Sequence, residues 1–198
     1  MTTLKSPEQA KGLKSRDLLL SLIAMAEGRQ ELGRTSIQKV AYFASLALNR
    51  DLGHKAHFYG PFSEIVEDEL EALVLSDLID EKVTTIGVSS GTGFPVRKYE
   101  YSITDEGSTR VKEIAEVHPQ DTAQLDNLME LILEHAGGLD QRVLSPAAKV
   151  LYIAGQQDRA VRSDEIQLAG ADLGWDLDES QVKLVAELLE RLGFVKLS

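Results

Sequence analysis

Residues 82–104 carry the pattern that leaves a fold the least freedom. KVTTIGVSS (82–90) and VRKYEYSIT (96–104) are β-branched and aromatic runs, and GTGFP (91–95) between them is rich in turn formers. Two such runs at that spacing predict an antiparallel hairpin with a glycine-rich tip. Everything ahead of it has helical character. RDLLLSLIAMAEG (16–28) is strongly apolar and stops at Gly28, a C-cap candidate. RTSIQKVAYFASLALNRDLG (34–53) keeps Ile37, Val40, Ala41, Ala44 and Leu48 at helical spacing, with Thr35 or Ser36 to cap it. Gly60-Pro61 then forces a turn, and Ser63 is placed to cap a third helix that buries Val66, Leu70, Leu73, Val74 and Leu78.

The chain after the hairpin is helical again. YSITDEGSTRVKEIAEV predicts a strand ending at Thr104 and a helix from Asp105; residues 120–138 form an amphipathic helix with Leu125, Leu128, Met129 and Ile132 on one side. Residues 139–198 replay the opening in shorter form. SPAAKVLYIAGQ gives a helix with Pro146 in its first turn, and Asp178 with Gln181 has capping-box spacing ahead of a leucine-rich helix. SIQKVA (36–41) and EIQLAG (165–170) align, each followed by a leucine-rich helix that runs into a short strand. The expected architecture is mainly helical, α+β, with two winged-helix-like units. The first (15–117) carries the hairpin as its wing, the second (139–198) is truncated, the helix at 118–138 joins them, and residues 1–14 form a flexible arm.

Charge and composition limit what such a chain can do. The 198 residues are 43% hydrophobic and 27% charged, a globular balance, and the formal net charge is −11. Phosphate neutralisation by Lys and Arg supplies most non-specific nucleic-acid affinity, so this balance counts against it. Cysteine is absent, which removes disulfides, thiolate metal sites and thiol nucleophiles. The sequence offers no membrane span and no apolar signal-peptide core, and a cytoplasmic location is the plain expectation.

The third helix raises the functional question. In FYGPFSEIVEDELEALVLSDLIDEKV (58–83), Glu64, Glu67, Asp68 and Glu71 fall at i, i+3, i+4 and i+7, placing four carboxylates on one face. The order of this leucine-rich helix, Leu-Ile-Asp-Glu, a hairpin and YSITDEG resembles bacterial winged-helix regulators of the PadR and MarR kind. A narrower resemblance covers about residues 16–110. Ile37-Gln38-Lys39 with Tyr42, followed by Tyr59-Gly60-Pro61, is similar to YwgA-like proteins and to the Panacea (SocA-like) antitoxin domain, whose Lys-Leu-Gln-Lys-Leu-x-Tyr helix precedes a Tyr-Gly-Pro turn. Ser36 stands here where the first lysine of that motif would be. The resemblance implies a small regulator, toxin-neutralising or adaptor-like; it does not extend to residues 120–198.

Two sets of residues follow as candidates. For a protein partner, such as a basic toxin or regulator, they are the acid stripe Glu64, Glu67, Asp68 and Glu71, with Gln38, Tyr42 and Tyr59. Gln38, His57 and Tyr59 form a polar grip for a partner segment or, on the favoured reading, Tyr42 and Tyr59 are core aromatics whose hydroxyls find buried partners while Gln38 braces the Gly60-Pro61 backbone. For DNA, the alternative reading, they are Arg34, Lys39, Arg97, Lys98, Arg110 and Lys112, with Arg97 and Lys98 in the wing. An acidic third helix opposes phosphate, so protein contact is the preferred reading. The apolar face of residues 120–137 must be covered, either by the two units or by a second chain, and a homodimer through it is the expectation. No enzyme signature, cofactor motif or metal set emerges. His54 and His57 lack further ligands, and SSGTG (89–93) sits between strands without the Lys-Ser/Thr of a P-loop.

Overall fold

A computed structural model of the chain describes residues 12–89, 91, 93–135, 139–157 and 161–194. It is mainly helical with one two-stranded antiparallel sheet. Helix α1 (Ser15–Ala26) lies at the centre of the first half, packed by α2 (Arg34–Ala47), α3 (Glu64–Leu75), α4 (Asp105–Val117), α5 (Pro119–His135) and the second strand. That explains its composition: Leu18, Leu19, Leu20, Leu22 and Ile23 are all buried, as an all-round apolar helix must be.

Strands β1 (Ile79–Val88) and β2 (Pro95–Ile103) pair from Ile79 opposite Ile103 out to Val88 opposite Pro95, with a register shift between Thr85 and Gly87. The predicted hairpin is therefore present. Thr104 caps α4 by accepting from the Gly107 N–H at 3.0 Å, and its own hydroxyl donates to the Asp77 carbonyl at 2.7 Å. Gly107 is dictated by this junction: a Cβ there would lie 2.0 Å from the Leu78 carbonyl oxygen.

The second half contains α6 (Gln141–Ala154), α7 (Ser163–Asp172) and α8 (Glu179–Arg191), which pack on one another. Its core is Leu144, Val150, Ile153, Ile166, Trp175, Val182, Val185 and Leu189. Helix α6 also packs on α2, which is thus enclosed from both sides and buries every residue from Ser36 to Ser45.

Several local expectations need correction. Ser63 and Asp178 cap α3 and α8 as predicted. Neither Thr35 nor Ser36 caps α2: Gly33 holds that position without a side-chain bond, and the Ser36 hydroxyl donates to the Leu139 carbonyl at 2.9 Å. Helix α2 ends at Ala47, where Asn49 takes a left-handed conformation. Pro146 sits in the second turn of α6, because Asp140 starts that helix earlier by accepting from the Arg142 N–H. Leu13, expected in the arm, is buried and its N–H donates to Asp121 at 2.9 Å; the rest of the expected arm, residues 1–11, lies outside the described residues. The strand expected after α8 would occupy 195–198, outside the described residues.

The largest correction concerns α5. Leu125, Leu128, Met129 and Ile132 are buried, and they are covered by α1, α2 and α4 of the same chain. The apolar surface that suggested a homodimer is thus closed internally, and the dimer argument loses its basis. Among the described residues no helix is long and apolar enough to cross a membrane.

Candidate interaction surface

The acid stripe exists, but its four members differ. Glu64, Asp68 and Glu71 are exposed, while Glu67 is half-buried and lies 3.6 Å from the Arg34 guanidinium. The opposite face holds Val66, Leu70 and Leu73 in the core. Glu69, between the two faces, pairs with Arg16 at 2.8 Å.

The basic residues are mostly consumed inside the chain. Arg34 lies 4.0 Å above the Tyr99 ring, reaches Glu81 at 3.2 Å and bonds the Tyr101 hydroxyl at 3.3 Å. Tyr101 donates in turn to Glu81 at 2.8 Å, and burial above all pushes its pKa up to about 12. Lys98 binds Glu31 at 2.8 Å and also Glu100, and these bonds hold its pKa above the ordinary value. Arg110 reaches Asp17 at 3.1 Å and Glu113 at 3.0 Å. Lys39 is only 2% exposed; its ammonium donates to the Pro61 carbonyl at 2.7 Å, and burial, aided by nearby Lys149, lowers its pKa to about 8. Arg97 stands apart: no carboxylate among the described residues lies within ion-pair distance of it.

Gln38, Tyr42, His57 and Tyr59 do not converge on one pocket. The Gln38 amide is buried and makes two 3.0 Å bonds to Ser63, donating to its carbonyl and accepting from its N–H. Tyr42 is buried with its ring 5.0 Å from His54, and burial raises its pKa. Tyr59 faces the other way, exposed, with its ring edge-on to Phe58 at 5.0 Å; Phe58 itself is 70% exposed. His57 is also exposed and stacks near Phe62 at 5.2 Å. Burial lowers the His54 pKa to about 4. Among the described residues no three metal-ligating side chains cluster.

The Tyr-Gly-Pro segment is instead a junction between the two halves. Gly60 takes φ 101°, a conformation that disfavours a side chain, and its Cα packs close to Lys39 and Lys149. From the second half, Trp175 donates its indole N–H to the His57 carbonyl at 2.7 Å. Tyr152 meets that indole edge-on at 5.7 Å, and the Lys149 ammonium lies 5.6 Å from its ring centre. Sequence reasoning passed over Trp175. Its signal was its being the sole tryptophan, placed directly after a Gly in a unit too small to bury so large a ring unaided.

Beside this junction runs a groove of about 830 Å³ between β2, the start of α2 and the start of α6. Tyr59, Ile86, Val96 and Tyr99 give it apolar surface, and Arg34, Arg97, Lys98 and Arg142 give it charge. Near it the hairpin exposes Val88 and Phe94, the latter 73% exposed. The hairpin tip is closed by bonds between Ser89 and Phe94 and between Gly93 and Ser89; Ser90 and Thr92 lie outside the described residues. No family model matches the chain, and no curated relative does.

Proposed function

We propose that the chain is a tandem winged-helix-like regulator acting through protein contact, antitoxin- or adaptor-like, as the resemblance of its Ile37–Tyr42 and Tyr59–Pro61 segments implies. One observation carries the preference over DNA binding. Of the cations a winged helix would turn toward a duplex, Arg34, Lys98 and Arg110 are paired with carboxylates and Lys39 is buried. Freeing them for phosphate would break those pairs, and the exposed acid of α3 would add repulsion. Near the hairpin Tyr59, Ile86, Val88 and Phe94 are exposed beside Arg97, and so much apolar surface suits a polypeptide partner better than phosphate.

The test is a gel-shift titration with duplex DNA at two salt concentrations, using the parent and a variant with Glu64, Glu67, Asp68 and Glu71 changed to glutamine. The parent is expected to leave the DNA unshifted at micromolar concentration in both salts. Tight, salt-sensitive binding by the parent would overturn the protein-contact reading.

A further inference from the structure

We propose that the groove along β2 takes an extended, acidic segment of a partner protein as an added strand. The inference rests on the protein-contact reading above. Its first support is a free sheet edge. Among the described residues the sheet has two strands, and on the far side of β2 only Leu32 pairs, with the Tyr101 N–H donating to its carbonyl at 3.2 Å. Backbone groups alternate along a strand, so the N–H and C=O of Tyr99 and Arg97 point to that same side. The chain that supplies Leu32 turns away into α2 at Arg34, and no hydrogen bond among the described residues reaches those four groups from outside the strand pair. The Tyr99 carbonyl oxygen is covered by Gly33, where a Cβ would come within 3.2 Å of it, so the open groups are the Tyr99 N–H and both backbone groups of Arg97.

The second support is what surrounds that edge. The unpaired stretch forms one wall of the groove; Tyr59 and the first turn of α6 form another. Its volume of about 830 Å³ lies in the range of built binding clefts, roughly 300–1,000 Å³. Of the four cations that line it, Arg34 is paired with Glu81, Lys98 with Glu31 and Glu100, and Arg142 with Asp140, which leaves Arg97 to draw an acidic side chain. Arg97 lacks a carboxylate of its own. A strand laid there would satisfy the Tyr99 N–H and both backbone groups of Arg97, place an acidic side chain at Arg97, and rest an alternate apolar one on Ile86 and Val96. Strand addition works in this way, with backbone bonds giving affinity and alternate side chains giving specificity.

The test uses a displayed library of random octapeptides selected on the full chain. Enriched sequences should alternate apolar and other residues and carry Asp or Glu. A synthetic copy of the leading peptide should slow amide exchange at Arg97 and Tyr99. Methylating its alternate backbone nitrogens should weaken binding at least tenfold, and so should Arg97→Glu in the protein. Failure to enrich peptides, protection located elsewhere, or indifference to N-methylation or to Arg97→Glu would each overturn the proposal. These failures are separable from failure of the regulatory reading, which is decided by the DNA titration.

Discussion

Gln38 on α2 and Gln167 on α7 hold matching places in Ile37-Gln38 and Ile166-Gln167, and each reaches the backbone that leads into the next helix. Gln38 bonds Ser63, the cap of α3, 25 residues on; Gln167 donates at 3.1 Å to Leu177, just before the cap of α8, 10 residues on. The following helices also close alike. The Leu78 N–H returns to the Leu73 carbonyl past left-handed Asp77, and the Phe194 N–H returns to Leu189 past left-handed Gly193. Both are the six-to-one closure of a Schellman motif, with an apolar residue just beyond the turn. The halves therefore share a way of joining their second and third helices. They differ in what lies between. The first half spends 15 more residues there (25 − 10), on a longer α2 and on the segment that ends in Tyr59-Gly60-Pro61. That extra chain is what the second half grips through Trp175.

The most damaging way to break the comparison is to remove the grip. Trp175 is 1% exposed, and Trp175→Ala should cost about 3–5 kcal/mol through the cavity left, with the lost bond to His57 included. Urea unfolding followed by circular dichroism measures this. If the junction joins the halves into one cooperative unit, the parent should unfold in one transition and the variant in two. A single transition of unchanged midpoint would mean that the halves do not depend on this contact.

A somewhat smaller effect separates the halves by pH, because the buried titratable groups lie in the first. His54 has its folded pKa lowered to about 4 from 6.5, chiefly by burial, with Lys39 opposing its charge and Asp51 favouring it. Between those values the unfolded chain binds the extra proton. Stability is therefore full above pH 6.5 and falls as the pH drops toward 4, by roughly 3 kcal/mol. Lys39, lowered from 10.5 to about 8, acts in the same direction at the alkaline end: stability rises as pH rises from 8 to 10.5. Denaturation midpoints of the parent and of His54→Phe across pH 4–7 provide the check. The acid limb should flatten in the variant, and an equally steep limb would place the titration elsewhere.

How much of this was legible follows from the range of the interactions. The hairpin and the Ser63 and Asp178 caps could be read from local turn and capping residues, and the Ile-Gln repeat from aligning the two segments. The stripe on α3 was legible for the same reason, as helical spacing alone defines it. Four features were not: Lys39 on Pro61, Arg34 between Glu67 and Glu81, Leu32 against Tyr101, and Trp175 on His57. Each joins residues 20 or more positions apart, and no local pattern announces such a meeting. The α5 error has the same origin. Its apolar face was seen correctly, but what covers that face depends on how α1, α2 and α4 converge, which periodicity does not encode.

The finest cut compares the two glutamines themselves. Gln38→Leu leaves the N–H and the carbonyl of Ser63 without partners in a buried site, whereas Gln167→Leu leaves only the Leu177 carbonyl, freed from one part-buried bond. An unsatisfied buried polar group costs about 1–3 kcal/mol, and a bond that water can replace costs less, about 0.5–1.5 kcal/mol. Gln38→Leu should therefore destabilise by roughly 2 kcal/mol or more and Gln167→Leu by about 1 kcal/mol, both read as shifts in urea midpoint at unchanged slope. The two glutamines share no bonding partner, so the double variant should show the sum within about 0.5 kcal/mol. Equal losses at the two positions would show that burial is not what distinguishes the halves. A strong non-additive term would show that the junction at His57 and Trp175 carries strain from one glutamine site to the other. The additive result, with the larger cost at Gln38, is expected, because Gln38 makes two buried bonds to Ser63 while Gln167 makes one part-buried bond to Leu177.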